Sequence, residues 1–195
     1  GYKVKTAVLN AQWLGVPQSR LRLIFIGVRN DLIPDPTFPK PLTYSYTTTD
    51  AFRNTPTAAG VEKPAHLAEG TQQLELWHLT KAGEGFNNVT KELNRGGRKY
   101  LNYKNKKYAL LFNFRKLHPD KQSPTVLQGN ALFYHWDEPR NLSIPEMRRI
   151  SAFPDDFILT GSFMKRWERI GRAVPPVMMK HIAETIAEKI LKCAD

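Results

Sequence analysis

Gln18, Arg20 and Arg22 alternate along the run Gly15-Val16-Pro17-Gln18-Ser19-Arg20-Leu21-Arg22. On an extended chain successive side chains point to opposite faces, so these three project to one side. They lead into Ile24 and Ile26, apolar residues of the same parity. Two guanidinium forks and an amide in a row suggest a polar site at the end of a sheet. Taken alone, the same row also describes ordinary exposed residues at a strand's start. A second concentration of chemistry lies between Arg95 and Lys121, where Arg95, Arg98, Lys99, Lys104, Lys106, Lys107, Arg115, Lys116 and Lys121 are opposed only by Asp120. Tyr100, Tyr103, Tyr108, Phe112 and Phe114 are interleaved with them. Cations spread through aromatics read as a nucleic-acid surface; the plainer reading is a solvated basic face. Cys193, the single cysteine, shares a helical face with Ile186 and Ile190, which makes it a packed apolar residue and not a nucleophile. The five histidines show no metal-ligand spacing, so no metal is expected.

The elements that must hold these groups can be read from pattern. Val4–Leu9 and Leu21–Val28 are short and β-prone, and they read as neighbouring strands, the second largely buried beyond its first residues. Pro34, Pro36, Pro39 and Pro41 then mark an exit from that unit. Residues 54–73 read as a surface excursion, and from Leu74 to Leu117 apolar pieces alternating with turns suggest a small, mostly β lobe. Ser143-Ile144-Pro145-Glu146 matches a capping box, and the helix it starts should stop before Phe153-Pro154. A last helix begins at Pro175-Pro176, with Val177, Met178, Ile182, Ile186 and Ile190 at helical spacing.

Composition sets the outer bounds. The chain has 195 residues, 41% hydrophobic and 24% charged, which suits one globular domain or two small lobes. Its net charge of +11 points to a polyanionic partner, because surface cations displace counterions condensed on phosphates. No apolar run is long enough to cross a bilayer, and one cysteine allows no internal disulfide, so a reducing cytosol is the natural setting.

Three blocks together resemble the cytosine-5 DNA methyltransferases. Tyr2 through Leu9-Asn10-Ala11, Gly15 to Arg22 and Phe25-Ile26-Gly27 looks like that family's Gln-x-Arg-x-Arg block. Arg140-Asn141-Leu142-Ser143 with Glu146, Arg149 and Phe153 to Phe157 resembles its penultimate motif. Ile170 to Pro176 with the helix that follows resembles its C-terminal motif. Ser123-Pro124-Thr125-Val126 is similar to the stretch that closes the family's target-recognition region. The chain departs from the pattern at Arg172, where asparagine is usual, at Ser151, where glutamine is common, and at Pro145, where arginine is common.

The resemblance implies a mixed α/β fold: the C-terminal piece of a Rossmann-like S-adenosylmethionine methyltransferase sheet with an inserted, mostly β target-recognition lobe. Residues 1–29 would form the strand hairpin of the methyltransferase lobe, 30–125 the DNA-reading lobe, and 126–195 the C-terminal motifs and final helix. Such enzymes flip a cytosine out of the duplex, add a cysteine thiolate to carbon 6 and transfer a methyl group from S-adenosylmethionine to carbon 5. Arg22 would donate to the cytosine O2 as charge builds there, with Arg20 and Gln18 organising the pocket. Gly171, Ala173 and Val174 would help complete the cofactor pocket. Arg95, Arg98, Lys99, Lys104, Lys106, Lys107 and Thr125 would meet double-stranded DNA. The family's glycine-rich loop, Pro-Cys loop and Glu-Asn-Val-like segment do not occur here. The expectation is therefore a fragment or subunit, inactive without its catalytic half, working beside the bacterial nucleoid in restriction–modification. Two rivals are a stand-alone DNA-binding or regulatory module derived from such an enzyme and a family member that methylates tRNA.

Overall fold

A computed structural model describes residues 1–53, 66–89, 114–128 and 133–193. The chain opens with strands β1 (Tyr2–Asn10) and β2 (Leu21–Arg29), paired antiparallel with Tyr2 opposite Arg29 and Asn10 opposite Leu21. The turn between them is a 3₁₀ segment, Ala11–Leu14, capped at its start by the Asn10 side chain. Gly15 ends it at φ 79°, a left-handed conformation that a side chain would strain.

The two faces of this hairpin have different fates. Ile26 and Val28 pack with Ala11, Leu14 and Val16 against the last helix. The register places Tyr2, Val4 and Val8 on the opposite face together with Leu21, Leu23 and Phe25, and all six are exposed, Phe25 at 66%. The expectation that β2 would be largely buried is corrected accordingly. Its continuous apolar run reads as a strand covered on both faces, but only one face has a cover within the described residues.

Residues 30–47 carry no helix or strand, as the prolines imply. Helix α1 (Thr48–Phe52) follows, started by a Thr47–Asp50 capping box. Helix α2 (Gln72–Leu79) is capped by Thr71, which accepts from Leu74 N. Residues 72–79 are thus helical within the stretch expected to be mostly β, of which residues 90–113 lie outside the described residues. The Leu74-Glu75-Leu76 alternation imitates a strand, but the Thr71 cap and the burial of Leu76 and Trp77 set helical spacing. The β structure described near it is one short parallel pair, β3 (Arg115–Lys116) with β4 (Phe133–Tyr134). Tyr134 closes a small core with Leu76, Trp77, Phe86 and Val89.

Helix α3 (Ile144–Ile150) has both halves of its capping box, Ser143 and Glu146, and ends at Ser151 before Phe153. Helix α4 (Phe163–Arg172), capped by Ser162, did not stand out in the sequence. Its signal is Phe163, Trp167 and Ile170 on one face beside five charged positions, and that face joins Met147, Ile150, Leu142 and Phe133 in the main core. Helix α5 (Pro176–Ile186) runs on into a π-helical turn, Ala187–Leu191. Burying Met178 and Ile182 against the hairpin contributes roughly 2 kcal/mol each. The wider π turn breaks the helical period, so Ile190 stays buried while Cys193 is exposed, correcting its expected packing. No helix among the described residues is long and apolar enough to cross a membrane.

Glu146 is nearly buried and takes a two-bond fork from Arg140 at 2.9 and 2.8 Å. Burial works against its ionisation, yet the Arg140 and Ser143 hydrogen bonds outweigh it and hold the carboxyl below its ordinary range. A depressed folded-state pKa gives stability that is complete above the unfolded value, about 4.3, and lost as pH falls through the folded one. Denaturant melts should therefore show stability falling below about pH 5, and Glu146→Gln should start lower with a shallower acid limb. An unchanged acid limb in that variant would remove Glu146 from the account.

Candidate functional site

The neck of the hairpin is closed by Asn10. Its side-chain oxygen accepts from Arg20 N at 2.9 Å and Gln12 N at 3.3 Å, and its amide donates to Ser19 Oγ at 3.2 Å. Ala11 N donates to Arg20 O at 3.0 Å, so the loop returns residue 20 beside residue 10. The 123–126 segment lies along the far side of this loop. Ser19 N donates to Ser123 O at 2.8 Å, and Ser123 N donates to Pro17 O at 3.0 Å.

Gln18 and Arg20 are 0% and 2% exposed, so the reading of them as ordinary surface residues falls away. The Gln18 amide donates to Ser151 Oγ at 3.0 Å and to Ile150 O at 3.3 Å. Its oxygen accepts from Val126 N and from the Arg20 guanidinium, both at 3.3 Å. Arg20 also donates to Val126 O at 2.8 Å and Gly171 O at 2.6 Å. The Arg20 guanidinium thus ties the first and last sequence blocks to the stretch closing the recognition region, and the Gln18 amide ties in the penultimate block. No carboxylate pairs with it among the described residues, and burial first, then neighbouring Arg22, lowers its pKa to about 10. It remains a cation at neutral pH. Arg22 is half-buried, and its described hydrogen bond goes to Leu21 O at 2.7 Å. Of the three aligned residues it alone keeps donors within reach of a ligand, since the unpartnered Arg20 Nε is buried.

Gly171 is glycine for a packing reason. A Cβ there would stand 2.6 Å from the backbone carbon and oxygen of Leu127. It is buried and its carbonyl is engaged by Arg20, so it offers no surface to a cofactor; Val174 is exposed and Ala173 half-exposed at the end of α4. Arg172, where the family pattern has asparagine, donates to Gln128 at 2.6 Å and pairs with Glu168 at 2.7 Å. In the penultimate block, Arg140 is held by Glu138 and Glu146, and Arg149 by Asp155, so these charges are spent on the fold. Thr125 donates its hydroxyl to Ser19 O at 2.7 Å. Arg95, Arg98, Lys99, Lys104, Lys106 and Lys107 lie outside the described residues. Among the described residues no group of His, Cys, Asp or Glu is arranged to hold a metal ion.

A family model described as C-5 cytosine-specific DNA methylase matches residues 1–188. The chain belongs to that family. Among the chain's relatives, the type II methyltransferase M1.HphI of Haemophilus parahaemolyticus is 33% identical over 98% of this chain and 49% of its own length. The type II methyltransferase M.BbvI of Brevibacillus brevis is 32% identical over 95% of this chain and 49% of its own. The chain thus spans about half the length of these curated relatives. Its fold is also similar to the crystal structure of a protein described as a DNA modification methyltransferase encoded within an E. coli prophage. That likeness has a TM-score of 0.64 at 18% identity, covering 96% of this chain and 61% of the other.

Sequence reasoning named Gln18, Arg20 and Arg22 but not their partners. Asn10 and Val126 sat within quoted motifs without a role, and Ser151 stood out only as a departure from the pattern. The parts of Val126 and Ser151 depend on contacts between residues more than a hundred positions apart, for which one sequence carries no signal. Two variants test the arrangement. Arg20→Ala strands the carbonyls of Val126 and Gly171 and should cost on the order of 3 kcal/mol in denaturant unfolding, with Arg20→Lys recovering little because one ammonium cannot span both. Gly171→Ala pushes a methyl group into backbone that cannot yield and should lower the thermal midpoint by several degrees. A parent-like midpoint would show that residues 127–128 can move aside.

Proposed function

We propose that this chain is the DNA-reading and pocket-completing half of a DNA (cytosine-5)-methyltransferase of the restriction–modification type. The observation that carries the reading is the Arg20 junction. It draws the Gln18–Arg22 block, the 123–126 stretch and the C-terminal motif to one point while leaving Arg22 with donors to spare. In this reading Arg22 donates hydrogen bonds to O2 of a flipped cytosine. That oxygen is a carbonyl dipole in the ground state and gains negative charge once a nucleophile adds to carbon 6. A preorganised donor strengthens as the charge appears, and that difference lowers the barrier. Arg20 and Gln18 act behind Arg22 as positioning residues. The Arg20 charge beside Arg22 also adds to the positive potential at the site.

The open apolar surface of Ala173 and Val174 at the end of α4 fits one edge of a methyl-donor pocket. S-adenosylmethionine bound there would supply the electrophilic methyl group. The nucleophile and the rest of the pocket come from the other half of the enzyme, in the same polypeptide or a separate subunit. Two observations favour such a half: the relatives are about twice as long as the matched chain, and the hairpin presents an uncovered apolar face of Tyr2, Val4, Val8, Leu23 and Phe25. Double-stranded DNA is the substrate, met by Thr125 and by the basic segment from Arg95 to Lys107.

In the complete enzyme Arg22→Ala should slow single-turnover methylation about a hundredfold or more, on the order of 3 kcal/mol, with DNA affinity nearly unchanged. Arg22→Lys should restore little, since an ammonium lacks the planar fork. Rapid-quench transfer of a tritiated methyl group at saturating DNA gives the rate, and fluorescence anisotropy gives the affinity. A normal rate combined with weak, salt-sensitive binding would make Arg22 a phosphate contact instead.

A further inference from the structure

A cavity of about 420 Å³ opens where the Gln18–Arg22 block meets the end of the recognition region. Ser19 and Thr125 form one wall, and Arg115, Lys116, His118 and Lys121 form the rest, with no carboxylate in the lining. Each wall is held by hydrogen bonds of its own. Thr125 Oγ1 donates to Ser19 O, Leu117 N donates to Tyr134 O at 3.0 Å, and Gly83 and Glu84 exchange backbone bonds with Lys116. The cavity is therefore built from fixed backbone and is not a gap between loose loops.

Its charge is uncompensated. Among the described residues Arg115, Lys116 and Lys121 have no acidic partner within ion-pairing distance, whereas Lys3, Lys5, Arg29, Arg140, Arg149 and Arg172 each have one. Lys116 is the most confined. Its ammonium sits 3.6 Å over the Trp77 ring and donates to Trp77 O at 3.3 Å, so it is held by a π face and a carbonyl dipole and keeps its charge unneutralised. Desolvation lowers its pKa, and the more distant carboxylate of Asp137, which is not within ion-pairing distance, only partly offsets this. The Ser19 hydroxyl accepts from Asn10 and has its own proton left to give.

We infer that this cavity is a phosphate seat, taking the sugar-phosphate backbone of DNA beside the block that carries Arg20 and Arg22. A phosphodiester supplies the anionic oxygens that this lining lacks, and Arg115 and Lys121, both exposed, can reach it without refolding. The bonds from Ser19 N to Ser123 O and from the Thr125 hydroxyl to Ser19 O make the seat continuous with the Arg20 junction. A strand gripped here has its register fixed relative to Arg22, a positioning role that carries no base information. The inference rests on the DNA-methylating reading and assigns within it residues that neither the motifs nor the family match identify.

The test compares the complete protein with a double variant, Arg115→Gln with Lys121→Gln, and with a charge-matched control, Lys189→Gln with Lys192→Gln, on exposed residues at the chain's other end. Anisotropy of a fluorescein-labelled DNA duplex is followed across a potassium chloride series. The seat predicts a log-log salt slope shallower by about one to two units in the cavity variant, and roughly tenfold or more loss of affinity at moderate salt. The control should keep the parent slope. If the parent binds duplex DNA and both variants keep its slope, the seat is wrong and the DNA reading stands. If both variants change alike, the effect is one of net charge and the seat is again wrong. Loss confined to a single-stranded RNA probe would overturn the assignment to DNA. No duplex binding by the complete parent protein would remove the DNA reading and the seat together.

Discussion

The guanidinium of Arg20 is a full charge taken almost entirely out of water, with no carboxylate among the described residues to balance it. Such a group is tolerable only when oxygens surround it with good geometry, because its desolvation is otherwise worth several kcal/mol. Here the oxygens belong to Gln18, Val126 and Gly171, three places far apart in the chain. The rest of the centre follows from bringing them close. Residues 17–19 and 123–126 must run side by side, which their reciprocal backbone bonds achieve. Residue 171 can have no side chain, because the backbone of Leu127 occupies that space. Asn10 must close the hairpin neck so that residue 20 faces inward. Arg22, two residues further on, inherits a fixed position without being buried itself.

The hairpin shows the same economy on a larger scale. Its inner face is covered by α5, while its outer face carries six apolar residues with no cover among the described ones. A two-stranded sheet is marginal by itself, and a contiguous apolar face of this kind ordinarily marks an interface. That fits a family in which the matched chain spans half of its relatives' length. Charge is distributed with similar economy. The penultimate block spends its arginines on Glu146, Glu138 and Asp155, knitting α3 to its surroundings. The cations around the cavity below Ser19 have no such partners. Positive charge left unpaired in a chain of net charge +11 is available to a polyanion.

What the sequence alone determined is everything carried by local chemistry or by an ordered string of residues. The hairpin strands, the Ser143–Glu146 capping box, the proline start of α5 and the family itself were legible because each depends on neighbours a few positions apart or on motif order. Where the local signal was ambiguous it misled. Leu74-Glu75-Leu76 alternates like a strand and is helical, and α4 was hidden by its many charges. Cys193 keeps the nominal helical spacing, but the π turn rotates it into solvent. Only the tertiary structure decided that Gln18 and Arg20 are buried while Arg22 is not, that Gly171 serves packing, that β2 has one open face, and that Arg115, His118 and Lys121 share a cavity with Ser19. The physical reason is common to all four. Each is a contact between distant segments, set by how layers stack and by which buried polar groups find partners, and side-chain spacing along one chain does not encode what will lie across from it.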